Sequence, residues 1–421
     1  MQALLIPLSS LLTGTGLMVI GIGLFFSVLG LRASMAGFSA STTGFIMSAY
    51  FVGFMLGTYL CPAIIRRVGH IRAFAAMASL ASTMPILHAL WIDPWYWALL
   101  RLITGICLIG LYLVLESWLN TMAPSSQRGK VIALYLVVNF LAMAAGQWLI
   151  MASGADGFLP FALISVLFSF ALLPITLTPV AQPKAVEPPK LSLKELYRIS
   201  PLGVMGVLSS GLLYGAFYGM GAVYAQGVGL STAQVANFMA ITILGGAVFQ
   251  WPVGVYSDRN DRRYVLLWVS IAAGIAAVLS FLLAYVSFSA LLVFAFFYGG
   301  FMFALYGLSV AHVNDLIDSS RVLEVTGGLL LVHGSGAALS PMLAGFLLDH
   351  MGPSSLMLYC AVILGFLAYF TMRRIHAAPP VPAAEKGGYV ALTGTEPMLP
   401  LTPAPGPEND GPKNEKPIVP A

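Results

Sequence analysis

Twelve long apolar runs constrain this chain more than any other feature. A helix needs about 20 mainly apolar residues to cross the hydrocarbon core of a bilayer. Runs of that kind lie at 5–31, 42–65, 73–91, 95–118, 131–153 and 158–178, and again at 202–227, 231–256, 264–286, 288–311, 323–348 and 354–373. They are continuous, whereas barrel strands would be alternating segments of about ten residues. Only 9% of the 421 residues are charged, against about 25% in a soluble domain. The expected fold class is an all-α polytopic membrane protein with twelve transmembrane helices. The first run, Ala3 to Leu31, has no basic residue before it and exceeds the ~7–15 residues of a secretion-signal core, so it reads as a span.

Charge orients these spans. One set of loops holds Arg66, Arg67, Arg72, Arg128, Lys130, Lys184, Lys190, Lys194, Arg198, Arg259, Arg262, Arg263, Arg321, Arg373 and Arg374; the other set holds Arg32 alone. The positive-inside rule makes the crowded side cytoplasmic and puts both termini there. With the basic residues in short loops, the net charge of +4 gives no indication of a nucleic-acid partner. Residues 180–199 carry Pro183, Pro188 and Pro189 with four basic residues, which predicts a cytoplasmic linker in water. Residues 376–421 are rich in Pro and Gly and poor in large apolar side chains, which predicts a disordered cytoplasmic tail. Cys61, Cys107 and Cys360 sit inside apolar runs at no metal-ligand spacing and read as packing residues.

The chain also repeats itself. Leu111-Tyr112 and Asn120 in the fourth run recur as Leu305-Tyr306 and Asn314 in the tenth, and Ser125-Ser126 recurs as Ser319-Ser320. Leu136-Val137-Val138-Asn139 returns loosely as Leu330-Leu331-Val332-His333. The expected organisation is an N-terminal six-helix bundle over 1–179, the linker, and a C-terminal six-helix bundle over 200–375. Parallel repeats of this kind place a cargo site between the halves.

Gly254-Val255-Tyr256-Ser257-Asp258-Arg259-Asn260-Asp261-Arg262-Arg263 resembles the loop signature of the major facilitator superfamily, with Asp261 where that family usually has Gly. Its first-half copy departs further, with Pro62 and Arg66 at the Gly and Asp positions. Arg101-Leu102-Ile103-Thr104-Gly105 resembles the superfamily's fourth-span motif. Glu116-Ser117-Trp118-Leu119-Asn120, Arg128-Gly129 and Gln250-Trp251-Pro252-Val253-Gly254 are similar to its YcaD-like branch. The resemblance covers 1–375 and implies the major facilitator fold and membrane transport; it implies no particular substrate.

Asp258 at the inner end of the eighth run can face the positive N-terminus of the fifth, near Arg128 and Gly129. With Arg259 it reads either as a latch closing the cytoplasmic side or as a solvated loop charge. Arg101 lies inside the fourth run, where a cation is expensive and faces a polar cavity or a partner. It reads as an anion or acid partner, or as a structural Arg. Glu116 is fifteen residues further on, about 22 Å along one helix, so the two cannot pair within it. It reads as a gating carboxylate near Arg128 or the Arg66–Arg67 loop, as a proton carrier, or as a solvated helix end. His333 is a proton-carrying or hydrogen-bonded imidazole, with Asn139 as its repeat counterpart. His312, Asn314 and Asp315 read as gate residues. Arg101, Tyr112, Asn139, Tyr214, Tyr218, Tyr306 and His333 are the expected substrate-binding set, and Arg101, Glu116 and His333 the proton-coupling set. Aromatic walls with few charges suit a neutral or amphipathic molecule. Trp91, Trp95 and Trp97 read as an interfacial belt.

No phosphate-cradling loop, catalytic triad or metal-ligand cluster is present in the sequence, so no cofactor, metal or enzymatic activity is expected. The partners expected are a small-molecule substrate and membrane lipid, for a monomer. The expected function is a proton-coupled secondary transporter of a small organic solute, with efflux slightly ahead of uptake. The alternative is a non-transporting membrane sensor or assembly factor that uses the tail for docking.

Overall fold

The computed structural model describes residues 2–122, 128–177, 193–318, 321–375 and 386–389. Thirteen α-helices and no strand occur among them: α1 (Gln2–Met35), α2 (Ala40–Val68), α3 (His70–Leu90), α4 (Pro94–Met122), α5 (Arg128–Ser153), α6 (Leu159–Thr176), α7 (Leu193–Ile199), α8 (Pro201–Gly227), α9 (Thr232–Arg259), α10 (Arg262–Leu283), α11 (Phe288–Asn314), α12 (Val322–Met351) and α13 (Ser355–Ile375). All but α7 are long and apolar enough to cross a membrane. This is a multi-pass membrane protein. The helices mostly overrun the expected spans, because hydropathy ends where polar residues begin but a helix ends where its cap is. Ser39 and Ser231 cap α2 and α9 alike, accepting from the backbone N–H of Thr42 and Gln234.

The packing partners repeat as the sequence does. α2 lies on α4 as α9 lies on α11, α1 on α5 as α8 on α12, and α3 on α6 as α10 on α13. Small residues make the first crossing possible. A Cβ at Gly105 would lie 2.0 Å from the Tyr50 carbonyl oxygen, and one at Gly53 2.0 Å from that of Leu102. In the second group a Cβ at Gly299 would lie 1.9 Å from the Thr242 oxygen, and one at Gly245 2.0 Å from that of Phe296. Backbone approach of this kind substitutes for the hydrophobic drive that lipid does not supply. The two groups meet along α2 against α12 and α5 against α9, with α8 touching α1 and α2.

Two expectations need correction. Within the linker, Leu193–Ile199 forms α7, whose Leu196 is buried against Gly328 and joins a cluster with Val325, Leu329 and Tyr306. Glu195 pairs with Arg321 at 2.6 Å. The apolar face Leu196–Ile199 finds a partner once α12 is beside it. The rest of the linker, at 180–192, lies outside the described residues. So does most of the tail, but Lys386–Tyr389 is docked on α9, α10 and α11 rather than structureless.

Candidate functional site

The two ends of the molecule differ. At the end that carries Arg32, the halves are tied together beside a recess of about 420 Å³ that Ser34, Val223, Gln226 and Asp349 line. The backbone N–H groups of Ala40 and Ser41, in the open first turn of α2, each donate to Asp349 of α12 at 2.8 Å, and the Ser41 hydroxyl donates to it as well. Trp148 of α5 donates to Asn237 of α9 at 3.0 Å. Close contact continues inward, where a Cβ at Gly44 would strike the Pro341 carbonyl and one at Gly334 would lie 2.9 Å from Met55. At the opposite, basic end, α5 and α9 part around a cavity of about 390 Å³. Gly129, Ile132, Leu136 and Phe140 line one wall, and Gln250, Gly254 and Asp258 the other.

Between the ends runs an aromatic seam. Arg101 of α4 is 1% exposed. Its guanidinium lies 5.0 Å and 4.9 Å from the Phe25 and Phe26 rings of α1, and 4.4 Å from the Tyr50 ring of α2. Desolvated cation–π contacts are worth about 2 kcal/mol each at best, the same order as the ~2.5–3.5 kcal/mol cost of an intramembrane Arg. Its Nε and one terminal nitrogen have no hydrogen-bond partner among the described residues. Phe26 stacks on Phe51 and meets Tyr218 at 5.4 Å. Tyr218 is 4.5 Å from Tyr214, which meets the His333 ring at 5.5 Å. His333 in turn lies 4.7 Å from Tyr306. Phe303 joins Tyr214 and Tyr218 to Phe140, and Phe140 lines the groove. A small cavity of about 20 Å³ lies among Tyr50, Phe51, Tyr214 and His333, room for about one water.

The sequence-expected residues therefore fall into two places. Arg101, Tyr214, Tyr218, Tyr306 and His333 share the seam, and Glu116 is buried on α4. Tyr112 is buried in α4. Asn139 is buried in α5 but donates to the Tyr135 carbonyl of its own helix at 2.9 Å. Phe25, Phe26, Tyr50, Phe51 and Phe303 were not expected, since an aromatic residue in an apolar run gives no sign of facing a cation.

The second place is the basic end. Asp258 pairs with Arg262 at 3.1 Å, and Arg262 with the buried Asp315 at 2.6 Å. Asp258, expected against the first turn of α5, is held by Arg262 and faces Gly129 across an open groove, while Arg259 is exposed. α9 ends at Arg259, and the extended residues Asn260 and Asp261 turn the chain so that Arg262, the first residue of α10, comes back beside Asp258. The Arg128 side chain lies outside the described residues. Arg66 and Arg67 are exposed. Asp261 caps α10, accepting from the Arg263 N–H at 3.0 Å. Burial alone would raise its carboxyl, but hydrogen bonds from Arg263 and the charges of Arg263 and Lys386 hold it below its ordinary value. One belt residue is also corrected. Trp91 and Trp95 are 69% and 73% exposed, whereas Trp97 is fully buried and donates to the His88 and Trp91 carbonyls.

The sequence pattern of the Major Facilitator Superfamily matches residues 11–286 and 204–406. The chain belongs to that superfamily. With membership comes a role in membrane transport. Among the superfamily's members, the uncharacterized MFS-type transporter YcaD of Escherichia coli is 26% identical over 344 residues, which covers 80% of this chain and 88% of that one. A further uncharacterized MFS-type transporter, from Enterobacter sp. strain 638, is 25% identical over 341 residues, with the same shares covered. These agree with the YcaD-like branch that Glu116–Asn120 and Gln250–Gly254 suggest. Two solved superfamily-like folds are similar. A bacterial homolog of the human lysosomal transporter Spinster, in an inward-facing and occupied conformation, has TM-score 0.72 at 15% identity, covering 90% of this chain and 97% of that one. The nucleoside transporter NupG has TM-score 0.69 at 14% identity, covering 86% and 98%. At such identities the likeness is one of fold.

Proposed function

We propose that the protein is a secondary active transporter that moves a small organic solute across the cell membrane by alternating access, coupled to protons, with export favoured over uptake. The observation that supports this best is the difference between its ends: at one, Asp349 ties α2 to α12 beside a recess that includes no residue of the aromatic seam, and at the other a groove of about 390 Å³ reaches the Phe140–Phe303 end of that seam. By the positive-inside rule the grooved, basic end and both termini are cytoplasmic. In a bacterium the membrane is the inner one. In the alternate state Asp349 releases α2, and Asp258 reaches the first turn of α5 to close the basic end.

The walls favour a neutral or amphipathic solute, since Tyr214, Tyr218 and Phe303 offer faces and hydroxyls rather than net charge. Arg101, Glu116 and His333 are buried ionisable groups along the route, and burial makes their charge states sensitive to which compartment they meet. The test is a metabolite and drug panel in proteoliposomes, with and without an imposed pH gradient. Gradient-dependent exchange of a neutral or amphipathic solute is expected, and Arg101→Ala should abolish accumulation while leaving the protein folded. Full accumulation by that variant would defeat the proton-coupling assignment.

A sensor or assembly factor on the same fold draws support from one observation, the docking of Lys386–Tyr389 on the basic end. Deleting residues 376–421 separates the two readings. A transporter retains flux at or above the full-length level, whereas a tail-dependent receptor loses its output.

A further inference from the structure

The Tyr389 ring fills a recess floored by Gly254 of α9 and Gly307 of α11. A Cβ at Gly254 would come within 2.3 Å of the ring, and one at Gly307 within 2.6 Å of the phenol oxygen. Two missing side chains therefore make the recess. The phenol donates to the Gln250 side-chain oxygen at 2.6 Å, and the Gln250 amide is held in turn by donating to the Phe303 carbonyl at 3.0 Å. The backbone of the segment adds directed bonds. The Tyr389 N–H donates to Asp258 at 2.8 Å and the Gly387 N–H to Asp315 at 3.0 Å, while Arg262 donates to the Gly387 carbonyl. The Lys386 ammonium donates to the Asn260 carbonyl at 2.6 Å. Four residues thus engage both carboxylates and the guanidinium of the gate cluster.

Position gives these contacts a consequence. Tyr389 also lines the groove, facing α5 from the α9 side. Asp258 has to reach the first turn of α5 for this end to close, yet its Oδ1 already accepts from Tyr389 and pairs with Arg262. We infer that Lys386–Tyr389 is an autoinhibitory wedge from the chain's own tail, seated beside the α5–α9 groove so that the basic end stays open and the Asp349 end stays shut. The wedge rests on the alternating-access function proposed above. Its departure frees Asp258 for closure.

The test reads the Asp349 end directly. Met47 is fully buried in α2, packed near Gly30 and Gly219 where that end is shut. A Met47→Cys variant, with the three native cysteines replaced by alanine, is labelled in proteoliposomes with a membrane-impermeant maleimide, and the same protein with Met47 intact gives the background. Tyr389→Ala and deletion of residues 386–421 are each expected to speed labelling roughly tenfold, equivalent to about 1.4 kcal/mol of net docking. Equal rates in the full-length protein and both variants would overturn the wedge. No solute is needed for this readout. Faster labelling with no flux across the panel would remove the transport function and leave the wedge; gradient-driven flux with equal labelling would do the reverse.

Discussion

Replacing Asp349 with alanine should open the end that it ties. Its carboxylate accepts two backbone N–H groups at 2.8 Å and the Ser41 hydroxyl, all from the first turn of α2. That turn has no intrahelical acceptors for its N–H groups, and its helix dipole favours an anion. Side-chain capping is typically worth about 0.5–2 kcal/mol, and the dipole adds about 0.3–1 kcal/mol near the surface. Asp349 is exposed, so water replaces part of what is lost, and a net of about 1–2 kcal/mol is reasonable. The ratio of the two end states then shifts about 5- to 30-fold. Spin labels at Met35 and Met351, both exposed at this end, report the change by electron spin resonance distance measurement. The long-distance population should grow in Asp349→Ala and grow less in Asp349→Asn, which keeps one acceptor oxygen but loses the charge. An unchanged distance distribution in Asp349→Ala would refute the view that this contact holds the end shut.

Other outcomes follow from the same coordinates. Asp315→Asn leaves the buried Arg262 short of its carboxylate at 2.6 Å; a loss of about 3–5 kcal/mol is expected, read as a lower Tm in detergent, with partial recovery in a double variant that also carries Arg262→Met. Gly105→Leu and Gly299→Leu each force a side chain into a backbone carbonyl about 2 Å away; both should unfold or fail to insert, whereas Gly365→Ala, with open space around its Cβ position, should be neutral in the same melting assay. Tyr50→Leu removes one ring from the Arg101 cage and should cost about 1–2 kcal/mol, with Tyr50→Phe near wild type. Asp261 has its carboxyl held below the ordinary value of 3.8. A depressed carboxyl contributes stability above its unfolded value and loses it as pH falls through the folded one. Hydrogen exchange in the first turn of α10 should therefore keep its protection at pH 5 and lose it only below the ordinary carboxylate range.

Insertion in lipid, span count, the repeat and superfamily membership were all legible in the amino acids, because hydropathy and loop charge are local quantities summed over about 20 residues. The Asp258–Arg263 and Arg101–Gly105 stretches carried the family for a similar reason: each is contiguous in the chain. The same stretches do not give the partners of their own side chains. Asp258 meets Arg262 because the chain breaks at Asn260 and Asp261 and turns back into α10, and Trp97 lies inside because α4 turns that face toward His88. The Asp349 contact to α2 joins residues 308 and 309 apart in sequence, and the Arg101 cage draws rings from two other helices. Which end is shut, where the tail sits and which aromatics line the seam depend on how two helix groups lean together. Alternative leanings differ by a few kcal/mol of specific contacts, and periodicity along the chain does not encode that difference.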